Sequence, residues 1–146
     1  MGDNGADPMT RAELQLLTRD RLRDAKALLA ARRWSGAYYV SGYAVECALK
    51  SCIIVYLMKT DQFPTRRFSE QCWTHDLQQL VNLAGLQATF DADMAADPVL
   101  KAQWAIVRRW NEASRYVRKT RKEARLLYNA NTLKKHGVLS WIKLHW

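Results

Sequence analysis

SGAYYVSGYAVECALKSCIIVYLM, running from Ser35 to Met58, is the stretch that decides the fold. Its apolar residues occupy nearly every side of a helix rather than one stripe, and a helix that is apolar all round is one surrounded by other helices. The run has the length of a membrane span, yet Glu46 and Lys50 stand in its middle together with Ser41 and Ser51, and charges at that depth of a bilayer are costly. The expectation is therefore the central helix of a bundle, with no membrane as partner. Glu46 and Lys50 fall at i and i+4, so they share a face and can satisfy each other. Gly36 and Gly42 offer places where a neighbouring helix can come close.

Working outward, residues 1–9 read as a loose leader rich in Gly, Asp and Asn, followed by Thr10 and Glu13 in the spacing of a capping box. A first helix is predicted from there to about Arg32, with Leu14, Leu17, Ala25, Leu28 and Leu29 as its apolar stripe. Beyond the central helix, Phe63-Pro64 marks a loop. Thr74 can cap a third helix from His75 to Ala84, closed by Gly85 where a left-handed residue is wanted. Asp97-Pro98 is an N-cap followed by a first-turn proline, opening a fourth helix predicted to reach about Lys119. A fifth helical stretch, Arg121 to Leu133, is ended by Gly137, and Val138–Trp146 is an apolar tail packing back on the rest. With no strand pattern and no internal repeat, this is an all-α, up-and-down antiparallel bundle of four to five helices in one domain, residues 10–146.

At 146 residues and 49% hydrophobic, the chain builds one core. Its six Trp and six Tyr are large packing units with polar ends, expected at the margin of the core or in an interface. Its net charge of +9 favours phosphates, acidic proteins or anionic surfaces as partners. Cys47, Cys52 and Cys72 are odd in number and lack paired spacing, and no apolar signal-peptide core begins the chain, so a reducing cytoplasm is expected. Cys47 and Cys52 point about 140° apart on one helix and cannot share a metal. His75, His136 and His145 are dispersed, so no metal or other cofactor is expected.

Charge is densest where Arg108, Arg109, Arg115, Arg118, Lys119, Arg121, Lys122 and Arg125 face only Glu112 and Glu123, a local net of +6. On one unbroken helix, Arg108, Glu112, Arg115, Lys119 and Lys122 form a stripe that can track phosphates. The same pattern also describes a solvated face steadied by Arg108–Glu112 and Glu112–Arg115 pairs. Thr74-His75-Asp76 sets an imidazole beside a carboxylate, as a general base requires, but equally suits the electronegative start of a helix. A glycine-rich phosphate loop is absent. Ser35-Gly36 and Ser41-Gly42 lack the surroundings of a nucleophile elbow, which removes the nucleotide-triphosphatase and serine-hydrolase classes.

The segment Ala37-Tyr38-Tyr39-Val40-Ser41-Gly42-Tyr43-Ala44-Val45-Glu46-Cys47-Ala48-Leu49-Lys50 resembles the second helix of HEPN domains. The order of Thr74-His75-Asp76-Leu77, Trp104, Trp110, Arg115-Tyr116, Gly137-Val138-Leu139, Trp141 and Trp146 is similar to one prokaryotic branch of that family. The resemblance runs from about Arg11 onward. It implies a helical bundle, commonly a homodimer, in defence, toxin–antitoxin or RNA-processing systems, often beside a small nucleotidyltransferase. Nuclease members carry an arginine and a histidine with about four to six residues between them, more than one helical turn, often with a tyrosine two positions on. Setting Tyr116 at that tyrosine puts Arg109 at the arginine and Ser114 at the histidine. Serine does not take up a proton near neutral pH, so the usual acid–base partner is missing. The resemblance thus implies a protein that binds RNA or nucleotide phosphates through Arg108, Arg109, Arg115, Arg118, Lys119 and Lys122, or that partners a nucleotidyltransferase. The alternatives are a divergent metal-independent ribonuclease drawing on Arg109, Ser114, Tyr116 and His75, and a dimerisation module with no nucleic-acid role.

Overall fold

A computed structural model describes residues 8–146, and all regular structure among them is helical. Of the leader expected over 1–9, residues 1–7 lie outside the described residues. Helix α1 (Arg11–Ala30) starts as the sequence predicts: the Glu13 N–H donates to Thr10 Oγ1 at 3.2 Å and the Thr10 N–H donates to Glu13 Oε2 at 2.7 Å. A short turn with Arg32 at φ 59° reverses the chain into α2 (Trp34–Thr60). By length and composition α2 could cross a membrane. Here it is the axis of the fold, packed along α1 and touched by α4, α7, α8 and the 3-10 turn introduced below. Ala44, Val45, Ala48 and Leu49 are fully buried along it.

Three short helices close one end: α3 (Arg66–Gln71), α4 (Leu77–Leu83) and α5 (Gln87–Ala96). The sequence pattern missed α3 and α5, which are short and held by local caps or by packing more than by periodicity. The Phe68 N–H donates to Thr65 Oγ1 to start α3, while Phe90 and Met94 of α5 go into the core. Helix α4 begins two residues later than the Thr74 cap suggested, because Asp76 is the N-cap and accepts from the Gln79 N–H at 3.1 Å. Gly85 takes the left-handed conformation expected after α4, at φ 69°.

Helix α6 (Pro98–Val107) opens on the Asp97 cap, but it stops at Val107 and not near Lys119. Residues 108–111 turn out of the helix while the Trp110 indole, 2% exposed, drops onto Gly42 of α2 and donates from Nε1 to the Tyr39 carbonyl at 3.1 Å. Asn111 then caps a 3-10 helix (Glu112–Tyr116), accepting from the Ala113 N–H at 2.9 Å. Val117 leaves it extended, the Lys119 N–H donates to Ser35 Oγ at 2.8 Å, and Thr120 with Glu123 forms a second capping box that starts α7 (Arg121–Thr132). Two side-chain caps and one buried indole thus outcompete helix continuation. The predicted unbroken stripe from Arg108 to Lys122 does not exist. Gly137 does not end α7, whose C-cap is Leu133; it is the N-cap of α8 (Val138–Ile142).

The core is aromatic at one end, where Phe90 meets Trp104 and Trp141 edge-on at centroid distances of 5.1 and 5.5 Å. Each indole N–H is satisfied: Trp104 donates to Gln78 Oε1 at 3.1 Å and Trp141 to Asp93 Oδ2 at 2.8 Å. Trp104 and Trp110 are therefore hidden within one chain. The large exposed aromatics are Phe63, Trp73 and Tyr116 instead.

Candidate nucleic-acid interface

Glu46 is 2% exposed on α2, and its charge is met from two sides. Lys50 Nζ lies 2.9 Å from Oε1, the pairing expected from their spacing, and His75 Nδ1 lies 2.9 Å from Oε2. The other ring nitrogen of His75, Nε2, lies 3.0 Å from Glu112 Oε2. A carboxylate only accepts, so the imidazole satisfies both contacts only when both nitrogens carry a hydrogen. His75 therefore ties three elements together: α2 through Glu46, the loop before α4 through itself, and the 3-10 helix through Glu112. Glu112, which the helical spacing paired with Arg108 and Arg115, is used here instead.

His75 and Glu112 of this tie line a cleft of about 410 Å³ together with Thr74, Asp76, Leu77, Arg108, Arg109, Trp110 and Asn111. The structure thus brings His75 and Arg109 to one cleft although 34 positions separate them in the chain. It does not bring Ser114 or Tyr116 there. Ser114 is 6% exposed with its hydroxyl lacking a hydrogen-bond partner among the described residues. Tyr116 is 79% exposed, its ring under the Arg115 guanidinium at 4.8 Å.

A second cleft, about 550 Å³, lies where the extended 117–119 segment crosses the α1–α2 turn, lined by Leu28, Arg32, Arg33, Trp34, Ser35, Gly36, Arg118 and Lys119. Lys119 sits over the Tyr38 ring at 4.5 Å and 3.8 Å from Glu123 Oε1. Lys122 is exposed on the first turn of α7. The hydroxyl of Tyr38 is pushed above the ordinary tyrosine value first by burial and then by Glu123, with Arg109 acting against them. The sequence pattern missed Arg32, Arg33 and Trp34 as site residues. The available signal was two adjacent arginines before an aromatic at a helix junction.

No group of His, Cys, Asp and Glu among the described residues has the arrangement of a metal site. Comparison of the chain with protein-family models, curated proteins and solved structures finds no match. The functional reading therefore rests on the residues themselves.

Proposed function

We propose that this chain is a HEPN-like bundle that holds the phosphates of RNA or of nucleotides on the face carrying Arg108, Arg109, Arg115, Arg118, Lys119 and Lys122, without cutting them. The observation that carries this reading is that folding gathers the cations into two clefts, Arg108 and Arg109 in one and Arg118 and Lys119 in the other. Arg108, Arg109 and Arg118 have no carboxylate within ion-pair distance among the described residues, so their donors face solvent and are open to a phosphate. The non-cutting part of the reading is supported by Ser114, which is buried where the family resemblance asks for an exposed histidine. It is also supported by His75, both of whose nitrogens are taken by carboxylates. The family resemblance further supports a homodimer beside a nucleotidyltransferase in a defence or toxin–antitoxin setting, and the unpaired cysteines support a reducing cytoplasm. Trp104 and Trp110 are buried in the single chain and so lend nothing to a dimer interface.

Binding of a fluorescent oligouridine across a salt series tests the reading. Affinity falls steeply with salt, and Arg109→Gln and Lys119→Gln each flatten the log–log slope by about 0.7, the increment for one single-strand phosphate contact. Unchanged slopes in both variants, with unchanged circular dichroism, return the surface to a solvated face. A metal-independent ribonuclease is the second reading, favoured by one observation: Glu46 holds His75 in the cleft that Arg109 also lines, as a buried carboxylate holds an acid–base imidazole, which would have to release Glu112 to act as a base. RNA cleavage that persists in chelator and is lost in His75→Gln supports it over the first.

A further inference from the structure

The second cleft differs from the first in its charge. Its walls carry Arg32, Arg33, Arg118 and Lys119 and no carboxylate. Among the described residues Arg32, Arg33 and Arg118 make no ion pair, and Lys119 reaches Glu123 only at 3.8 Å. The cations come from two places brought together only by folding: Arg32 and Arg33 at the α1–α2 turn, and Arg118 and Lys119 on the extended 117–119 segment. The Ser35 hydroxyl, which accepts the Lys119 N–H at 2.8 Å, locks that segment across the mouth of α2. Its own hydrogen stays free to donate into the cleft. Trp34 and Leu28 supply an apolar floor, with the Arg121 guanidinium 5.9 Å above the Trp34 ring.

Arg32 makes this concentration of charge more telling. It occupies the left-handed region at φ 59°, where glycine is free of strain and a residue with a Cβ is not. The turn therefore carries a strained arginine at the lip of the cleft, where glycine would close the same turn more easily.

We propose that this cleft is an end-recognition pocket for a phosphate monoester, the terminal phosphate of an RNA strand or the phosphate of a free nucleotide. The inference rests on the phosphate-binding reading above and adds specificity to it. A phosphodiester within a strand carries one negative charge and passes along an open surface, whereas a monoester carries close to two at neutral pH and can project into a concavity. Three arginines without an ion pair among the described residues, beside a lysine held 3.8 Å from Glu123, match the second case. Guanidinium groups grip such a phosphate through paired N–H donors. A volume of about 550 Å³ admits one nucleotide-sized group, whose sugar and base lie against Trp34 and Leu28.

Calorimetric titration of the full chain with five probes tests this: oligouridine of about ten nucleotides ending in hydroxyls, the same strand with a 5′-phosphate, the same with a 3′-phosphate, AMP, and adenosine. The expected result is at least about tenfold tighter binding of a phosphate-ended strand than of the hydroxyl-ended one, the size of effect one or two charge-assisted contacts give. That ratio falls to within about twofold in Arg32→Gly and in Arg118→Gln. Arg32→Gly is the cleaner variant, because glycine takes φ 59° without strain and the turn is kept. Preference for AMP over adenosine of the same size, lost in the same variants, makes the free nucleotide the ligand; preference confined to strands makes it the RNA end. Salt-sensitive binding that is equal for hydroxyl- and phosphate-ended strands, with no preference for AMP, overturns the pocket and leaves the phosphate face standing. Tight AMP binding without any strand binding supports the pocket and overturns the strand reading.

Discussion

Gly42→Ala adds one methyl group at the point where α2 meets the Trp110 indole. A Cβ built at that position lies 2.2 Å from both Trp110 Cδ1 and Cγ and 2.3 Å from Cδ2, where carbon atoms in contact sit about 3.5–4.0 Å apart. The indole has to move by more than about 1 Å. It is 2% exposed, holds the Tyr39 carbonyl through Nε1 at 3.1 Å, and packs on the rings of Tyr39 and Tyr43 at 6.1 and 6.4 Å. Overpacking costs about 1–3 kcal/mol, the hydrogen bond contributes about 1 kcal/mol and each aromatic pair about 0.5–1.5 kcal/mol. Better helix propensity of alanine returns about 1 kcal/mol. The net expectation is about 2–6 kcal/mol of lost stability, a fall in Tm on the order of 5–25 °C for a domain of this size. Gly36→Ala is the internal control, since its Cβ meets Leu28 Cδ1 at an ordinary 3.5 Å and should be neutral or stabilising by about 0.5–1 kcal/mol. Thermal unfolding by circular dichroism reads both variants, and oligouridine binding reads the consequence for function, because Trp110 positions Arg109 beside it. A Gly42→Ala protein that melts within about 2 °C of wild type and binds RNA unchanged would refute the reasoning.

Ser114→His, the change that restores the nuclease spacing on paper, should lower stability without producing cleavage, because an imidazole does not fit where Ser114 is 6% exposed; a folded variant that cuts RNA in chelator contradicts this. Burial pushes the Cys47 thiol up to about 11 and the Cys52 thiol up to about 12. Holding both neutral therefore contributes stability fully present below the unfolded thiol value of 9.0 and lost as pH rises through about 11 to 12, which alkaline unfolding of a Cys47→Ala, Cys52→Ala pair would no longer show. At pH 8 an alkylating reagent should label the partly exposed Cys72 first, with Cys47 and Cys52, 4% and 2% exposed, modified only on unfolding. Mass spectrometry of timed samples checks the order, and equal labelling of Cys47 and Cys72 speaks against the packing described.

The sequence by itself determined what is local or periodic. The Thr10–Glu13 box, the left-handed Gly85, the Asp97-Pro98 start and the Glu46–Lys50 pair are contained in spacings of a few residues, and the structure keeps each of them. The central helix was legible for a different reason: only burial on all sides accommodates so long an apolar stretch interrupted by one ion pair. The candidate site was legible only in part. Charge density pointed to Arg108, Arg109, Arg118 and Lys119, and no spacing announced Arg32, Arg33 or the tie from Glu46 through His75 to Glu112. Tertiary structure decided where the fourth helix ends, because the affinity of a buried site beside Gly42 for the Trp110 indole is invisible from either segment alone. Once Trp110 turns inward, Arg108 and Arg109 go to one cleft and Arg118 and Lys119 to another, so Arg108 and Lys119, which helical periodicity would have placed on one face, are parted by packing.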